Sequence, residues 1–314
     1  KDTTQIPMSL LQKSHTALGD PRLAAMHINR LFATHVLKRI RPPTDVFAQD
    51  WDNLLILDAC RHDMLEPEDI PKGRLEYRWS AGSQSEEFLA AHLDDRTLDD
   101  VVWVTANPFV SEHRDSIYEV IDVWDHGWDD ELNTVPPEAM REAALDAAKR
   151  YPTKRLVVHF MQPHYPFVGE FGRSALPEHQ PFTGGGVIKH EVGSASIWQQ
   201  LRDGTANVDI DAVWRAYREN LELVLPIALE LQDRLDGRTV LTSDHGNEVG
   251  ERGFPIPIRL YGHDGGLRTA NLTKVPWVVF EAEERRDVEP GDLTVGDEPA
   301  ADVEDRLTAL GYRE

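Results

Sequence analysis

A chain of 314 residues with 40% hydrophobic content has room for one large α/β domain or two small ones, and it is not a disordered chain. Its 55 acidic residues outnumber 33 basic ones, of which 25 are Arg, for a net charge of −22. No basic stripe interrupts this acidity, which argues against nucleic acid as a partner. An acidic, Lys-poor surface suits a high-salt cytoplasm, where screening removes self-repulsion; the alternative is an ordinary acidic protein. The single Cys rules out an internal disulfide and fits a reducing compartment, so the expected location is cytoplasmic, with peripheral membrane contact open. No stretch reaches the ~18 apolar residues of a membrane span. No signal peptide is visible, although the chain opens on Lys1 and an upstream segment could have been trimmed.

Residues 1–50 form an N-terminal helical arm, ahead of an α/β domain over 51–314. After Pro21, the residues Leu23, Met26, Ile28, Leu31, Phe32, Val36 and Leu37 recur near helical period. Lys38, Arg39 and Arg41 follow, and Pro42-Pro43 stops the helix. Such a basic amphipathic helix lies on a membrane, binds a partner, or packs on the core with a favourable C-terminal charge. The first strong strand is 51–58, ending in Asp58, with a helix starting near Arg61. A short strand at 75–79 leads to a segment of small residues and a helix with acids in its first turn, so Ser83 or Ser85 is expected at the N-cap. Further strands are expected at 101–105, ending near Asn107, and at 155–160, with a helix at 136–150 between them. Residues 168–207, with Gly184-Gly-Gly186 at their centre, read as a long insertion near the site. A helix over 211–235, bent at Pro226, runs into the apolar strand that ends Thr242-Ser-Asp-His-Gly246. A last strand lies at 275–280. This alternation predicts a mainly parallel central sheet with helices on both faces.

Asp58, Asp244 and His245 fall at strand ends, where open α/β sheets place their ligands, and together they make a divalent-metal set. Taken singly, Asp58 could cap the following helix and His245 could pack in a turn. A Ser at a helix start feels the positive end of the macrodipole; beside a metal its alkoxide would be a nucleophile toward a phosphate or sulfate ester, and without one it is an ordinary cap.

The order Asp58-Ala-Cys-Arg61-His-Asp63, then a Ser at a helix start, then Ser243-Asp-His-Gly246 and Gly262-His263, resembles the alkaline phosphatase superfamily. The closest resemblance is to its sulfatase and phosphoglycerol-transferase branch, over about residues 50–280. The resemblance implies one tightly bound divalent ion (Mn, Ca, Mg or Zn) on Asp58, Ser85, Asp244 and His245. It implies that Ser85, or Ser83 as second choice, is the nucleophile. Pro163-His-Tyr-Pro-Phe167 is similar to the branch's His-x-Pro segment, which makes His164 a binder of the substrate's anionic group. His263 would hold that anion or protonate the leaving group, with Arg61, Arg268 and Lys274 as further candidates for neutralising it. The Cys-x-Pro-Ser-Arg segment that sulfatases convert to formylglycine is absent, and Cys60 reads as a buried neighbour. Phosphate esters are therefore favoured over sulfate esters. The expected activity is a metal-dependent ester hydrolase using a Ser nucleophile. The alternatives are a phosphotransferase that modifies a glycan or lipid headgroup, and a catalytically silent metal-binding protein of the same fold.

Overall fold

The first strand, β1 (Asn53–Leu57), is apolar at every position but one and buried at all five. A strand reads this way when both of its faces are covered, as in a parallel sheet between two helical layers. That is its setting here. The computed structural model describes residues 20–176, 196–293 and 303–310. Within them β1 pairs in parallel with β5 (Arg155–Phe160) on one side and with β6 (Thr239–Thr242) on the other.

The full sheet has seven strands in the order β2-β9-β6-β1-β5-β3-β4, adding β2 (Arg74–Trp79), β3 (Leu98–Thr105), β4 (Ile117–Asp122) and β9 (Lys274–Phe280). Only β9 runs against its neighbours, pairing antiparallel with β6 and β2. The predicted mainly parallel α/β sheet is thus what the chain forms. A separate hairpin, β7 (Glu248–Arg252) with β8 (Arg259–Gly262), stands beside it and has no counterpart among the expected strands.

Alternation along the strands divides the core in two. Leu55, Leu57, Leu156, Val158 and Phe160 face one layer with Met140 and Ala144 of helix Pro137–Arg150 and Leu221, Ala228 and Leu231 of helix Ile210–Arg234. Leu54, Ile56, Trp103 and Val157 face the other, against Phe88, Leu89 and Leu93 of helix Ser85–Leu93. Each such side chain contributes roughly 1.5–3 kcal/mol when fully buried. Helices on both faces are therefore required by the pattern.

The arm is helical over Pro21–Phe32, continues as a wider turn through Leu37, and ends at Ile40. The 168–207 segment holds two short helices, Glu170–Ala175 and Ile197–Asp203; residues 177–195, with the triple glycine, lie outside the described residues. The expected helix with Pro226 inside it spans Ile210–Arg234.

One core histidine gives the fold a pH dependence. His92 sits between Phe88 and Phe47, and its Nε2 accepts from the Val46 amide at 3.4 Å. Burial pulls its pKa from 6.5 down to about 4. The folded state therefore binds fewer protons than the unfolded chain between these values. Stability is full above pH 6.5 and falls as pH drops toward 4, by of order 2 kcal/mol. Urea midpoints measured across that window should decline less steeply for His92→Phe than for wild type.

Candidate active site

Asp58 follows β1 directly, on the face shared with Leu54 and Ile56 and with helix Ser85–Leu93. The next residue, Ala59, has φ +59°, a left-handed conformation that costs a residue with a Cβ of order 1 kcal/mol. Four contacts over-determine it. The Ala59 amide donates to Asp244 Oδ1 at 3.1 Å, and the Cys60 amide donates to Ser243 Oγ at 2.8 Å. The Tyr217 hydroxyl donates to the Ala59 carbonyl, and the Asp58 amide donates to Phe160 O at 3.2 Å. The strained turn ties the end of β1 to the end of β6.

Asp244 and His245 follow β6. Gly246 lets the chain turn there against the segment before β9: its amide donates to Leu272 O at 2.8 Å, and a Cβ at this position would overlap the Asn271 carbonyl oxygen. Asp244 Oδ1 also accepts from the His245 amide at 2.9 Å, and Oδ2 accepts from Ser85 Oγ at 2.7 Å. Burial alone would raise the Asp244 carboxyl; the imidazoles of His245 and His159 and the Ser85 hydroxyl outweigh it and hold the pKa far below the usual range.

Ser85 is the first helical residue, with Gln84 at the N-cap, so neither predicted serine is itself the cap. The offset has a reason. Ser83 gives both its amide (3.0 Å) and its hydroxyl (2.8 Å) to the Glu87 carboxylate, which reaches back over the first turn. That leaves Ser85 Oγ 2.7 Å from Asp244, and 3.4 Å from both Asp58 Oδ2 and His245 Nε2. Of the two candidate hydroxyls, Ser85 is the one that meets the carboxylates. The Ser80 hydroxyl donates to the Asp244 carbonyl, and Arg268 donates to the carbonyls of Ser80 (2.7 Å) and Ala81 (3.0 Å), fixing the loop that leads to Ser85.

Asp58, Asp244 and His245 are fully buried, and one ligand atom from each lies within 4.8 Å of the others. Two carboxylates held side by side out of water repel each other and call for a cation. Hard oxygen donors with one imidazole suit Mg, Mn, Ca or Zn, so the residues fit a divalent ion.

Two residues here were not anticipated. Asn107 Nδ2 donates to Asp58 Oδ2 at 2.9 Å and to Ser85 Oγ at 3.1 Å. His159 of β5, fully buried, has Nε2 3.3 Å from Asp58 and 3.7 Å from Asp244, with no hydrogen bond completed at either ring nitrogen. Burial would lower its pKa, but the two carboxylates raise it to about 9. His159 stands near the carboxyl end of β5, beside β1, and Asn107 just after β3, the next strand out; alternation puts His159 on the Asp58 face. That signal was available in the sequence.

His164 and His263 do converge on the site. The His263 ring centroid lies 4.8 Å from that of His245 and 5.0 Å from that of His164. Removal from water lowers both pKa values, and their neighbouring imidazoles push His263 well below 6.5. His263 Nδ1 lies 3.1 Å from Asn247 Oδ1. The loop bearing His164 is clasped by Asn220 of the long helix, whose amide group donates to the carbonyls of His164 (3.0 Å) and Pro166 (2.9 Å).

Arg61 is different. Its guanidinium is paired with Asp63, bonded to Glu251 and stacked on Trp214. With its charge met by two carboxylates it anchors the β7 strand rather than offering itself to an anion. Arg268 is spent on carbonyls, and Lys274 lies over the Tyr77 ring.

The chain therefore delivers an Asp after β1, a hydroxyl at the next helix start on the same face, and an Asp-His pair after β6, at one edge of a mainly parallel sheet. This is the placement that the resemblance to the alkaline phosphatase superfamily implies. No family model and no curated protein matches the chain. Several solved structures do, with partial overlap. One is lipooligosaccharide phosphoethanolamine transferase A from Neisseria meningitidis, at 13% identity and TM-score 0.47, covering 74% of this chain and 47% of that one. Another is a protein in the alkaline phosphatase superfamily from Vibrio parahaemolyticus, at 8% identity and TM-score 0.39, covering 76% and 61%. A third is the lipoteichoic acid synthase LtaP from Listeria monocytogenes, at 10% identity and TM-score 0.43, covering 88% and 78%. The chain spans about half the length of the Neisseria transferase. Likeness at this level says nothing about the reaction.

Proposed function

We propose that the protein cleaves phosphate esters through a covalent phospho-Ser85 intermediate, with one divalent ion held by Asp58, Asp244, His245 and the Ser85 oxygen. The observation that carries this reading is the Ser85 hydroxyl, 2.7 Å from Asp244 and 3.4 Å from both Asp58 and His245 at a helix start. The Ser85 hydroxyl donates to Asp244 at 2.7 Å, which orients its oxygen, and the ion when bound would lower the cost of the alkoxide and of charge on the ester oxygens. Ser85 Oγ forms a bond to phosphorus as the ester oxygen departs with the proton that Ser85 gives up, while the neutral imidazoles of His263 and His164 are placed to hydrogen-bond the substrate oxygens. Asn107, donating to Ser85 Oγ, is positioned to reach a phosphoryl oxygen there. Water or an acceptor alcohol then takes the phosphoryl group and restores the serine.

Sulfate ester cleavage by formylglycine is disfavoured, because the only Cys, Cys60, is fully buried and its thiol is pushed far up by burial. Transfer to a glycan- or lipid-linked alcohol differs from hydrolysis only in the acceptor. The test is a panel of aryl phosphate monoesters, diesters and sulfate esters given to metal-loaded protein, with and without a long-chain alcohol. Turnover of a phosphate ester and not of the sulfate supports the reading, and free phosphate released without alcohol makes it a hydrolase. Turnover of the sulfate ester alone would overturn it.

A further inference from the structure

Soluble amphipathic helices put leucines inward and polar groups outward. The N-terminal arm reverses part of that pattern. Its inner face buries Ala25, Met26, Ala33 and Leu37 together with Asn29, which is 2% exposed and bonded to Ile256 in both directions at 3.0 and 2.9 Å. Its outer face leaves Leu23, Ile28, Leu31, Val36 and Ile40 between 39% and 66% exposed. Phe254, 62% exposed, extends this surface through an edge contact with Phe32 at 5.1 Å. Among the described residues, six of the nine large exposed hydrophobics fall on this one surface, which makes it a patch rather than scatter.

Its charge is as unusual as its polarity. Residues 21–43 contain Arg22, Arg30, Lys38, Arg39 and Arg41 and not one of the 55 acidic residues. In a chain of net charge −22 this is the one long acid-free segment among the described helices, which favours its approach to an anionic surface.

The arm is held rigidly for such a contact. Besides Asn29, Arg22 donates to Arg259 O at 3.1 Å and Arg30 donates to Gly265 O at 2.9 Å. Gly265 lies two residues beyond His263, and the Gly266 amide donates to Glu87 of the helix that starts with Ser85. The arm therefore abuts the segment that carries His263, which is itself bonded to the helix that starts with Ser85.

We infer that the outer face of residues 21–40, with Phe254, docks on the surface of an anionic lipid bilayer and brings the carboxyl edge of the sheet close to the headgroups. Apolar side chains enter the headgroup boundary while Lys38 and Arg39, at the exposed end of the arm, meet lipid phosphates. No described helix is long and apolar enough to cross a membrane, so the contact is interfacial. The docking stands on the arm's own surface and does not depend on the reaction proposed above.

The test is flotation of the full chain with vesicles of phosphatidylglycerol and phosphatidylcholine, against vesicles of phosphatidylcholine alone, with light scattering of the lipid-free protein. Expected is a monomer that floats with the anionic vesicles. Partitioning should fall about tenfold or more in an Ile28→Glu, Leu31→Glu double variant with an unchanged circular dichroism melt, and stay unchanged in Leu223→Glu, an exposed apolar site elsewhere. Four results would each overturn the inference: no flotation, flotation indifferent to the double variant, equal binding to neutral vesicles, or a lipid-free dimer that the double variant dissolves.

Discussion

Asp244→Asn is expected to abolish stoichiometric binding of the divalent ion and to lower kcat/KM on a phosphate ester by about 10³-fold or more. The amide keeps the side chain's shape and can still accept from the amides of Ala59 and His245, which the carboxylate does at 3.1 and 2.9 Å. What it loses is one of two buried negative charges. Asp244→Ala removes the ligand as well, but leaves two buried backbone donors and the Ser85 hydroxyl without their acceptor, at about 1–3 kcal/mol for each unmet group. The comparison separates charge from scaffold: Asn should lose the ion and keep most of the stability, while Ala should lose both. Metal content and melting temperature, measured with and without added ion, check this, because an ion bound only by the folded state raises the melting point of wild type and not of the variants. A variant that retains the ion would contradict the site.

Ser85→Ala should be more severe for turnover and milder for the ion. Without the attacking oxygen, phosphate-ester turnover should fall by about 10⁴-fold or more, while Asp58, Asp244 and His245 still hold the metal. Ser85→Thr keeps a hydroxyl at the same helix start and should retain measurable activity. The loop before it leaves little freedom: a Cβ on Gly82 would overlap the Phe88 amide, and Ser83 is locked to Glu87. The variants therefore test the oxygen and not the loop. If Ser85→Ala changed neither turnover nor any other property, the protein would be a silent metal binder of this fold.

Apart from β2, the strands legible in the sequence were those that burial writes twice. β1, β3, β5, β6 and β9 are covered on both faces, so their side chains form apolar runs that need no partner to be recognised. β4, at the sheet edge, buries only Ile117 and Val120, and the β7–β8 hairpin is short, half-exposed and irregular in register; neither writes a clear period. The convergence of Asp58 and Asp244 was legible because both end apolar strands. His159 and Asn107 obey the same rule and were overlooked as ordinary strand ends, although the alternation that puts Ile56 inward puts His159 beside Asp58. Arg61 was misjudged for another reason. One partner, Asp63, is two residues away, but the second, Glu251, is distant in the chain and on a hairpin that no pattern announced. Asn220, which clasps the His164 loop, is likewise silent in sequence: an Asn inside a helix declares its use only when the loop is seen to pack on it.

The central claim is that Ser85 becomes phosphorylated during turnover. It is tested most directly by rapid acid quench of metal-loaded protein with a phosphate ester, followed by intact-mass measurement and peptide mapping. Expected is an adduct of one phosphoryl group on Ser85, absent from Ser85→Ala and from Asp244→Asn. A phosphoryl group found on another residue, or brisk turnover by Ser85→Ala, would contradict it.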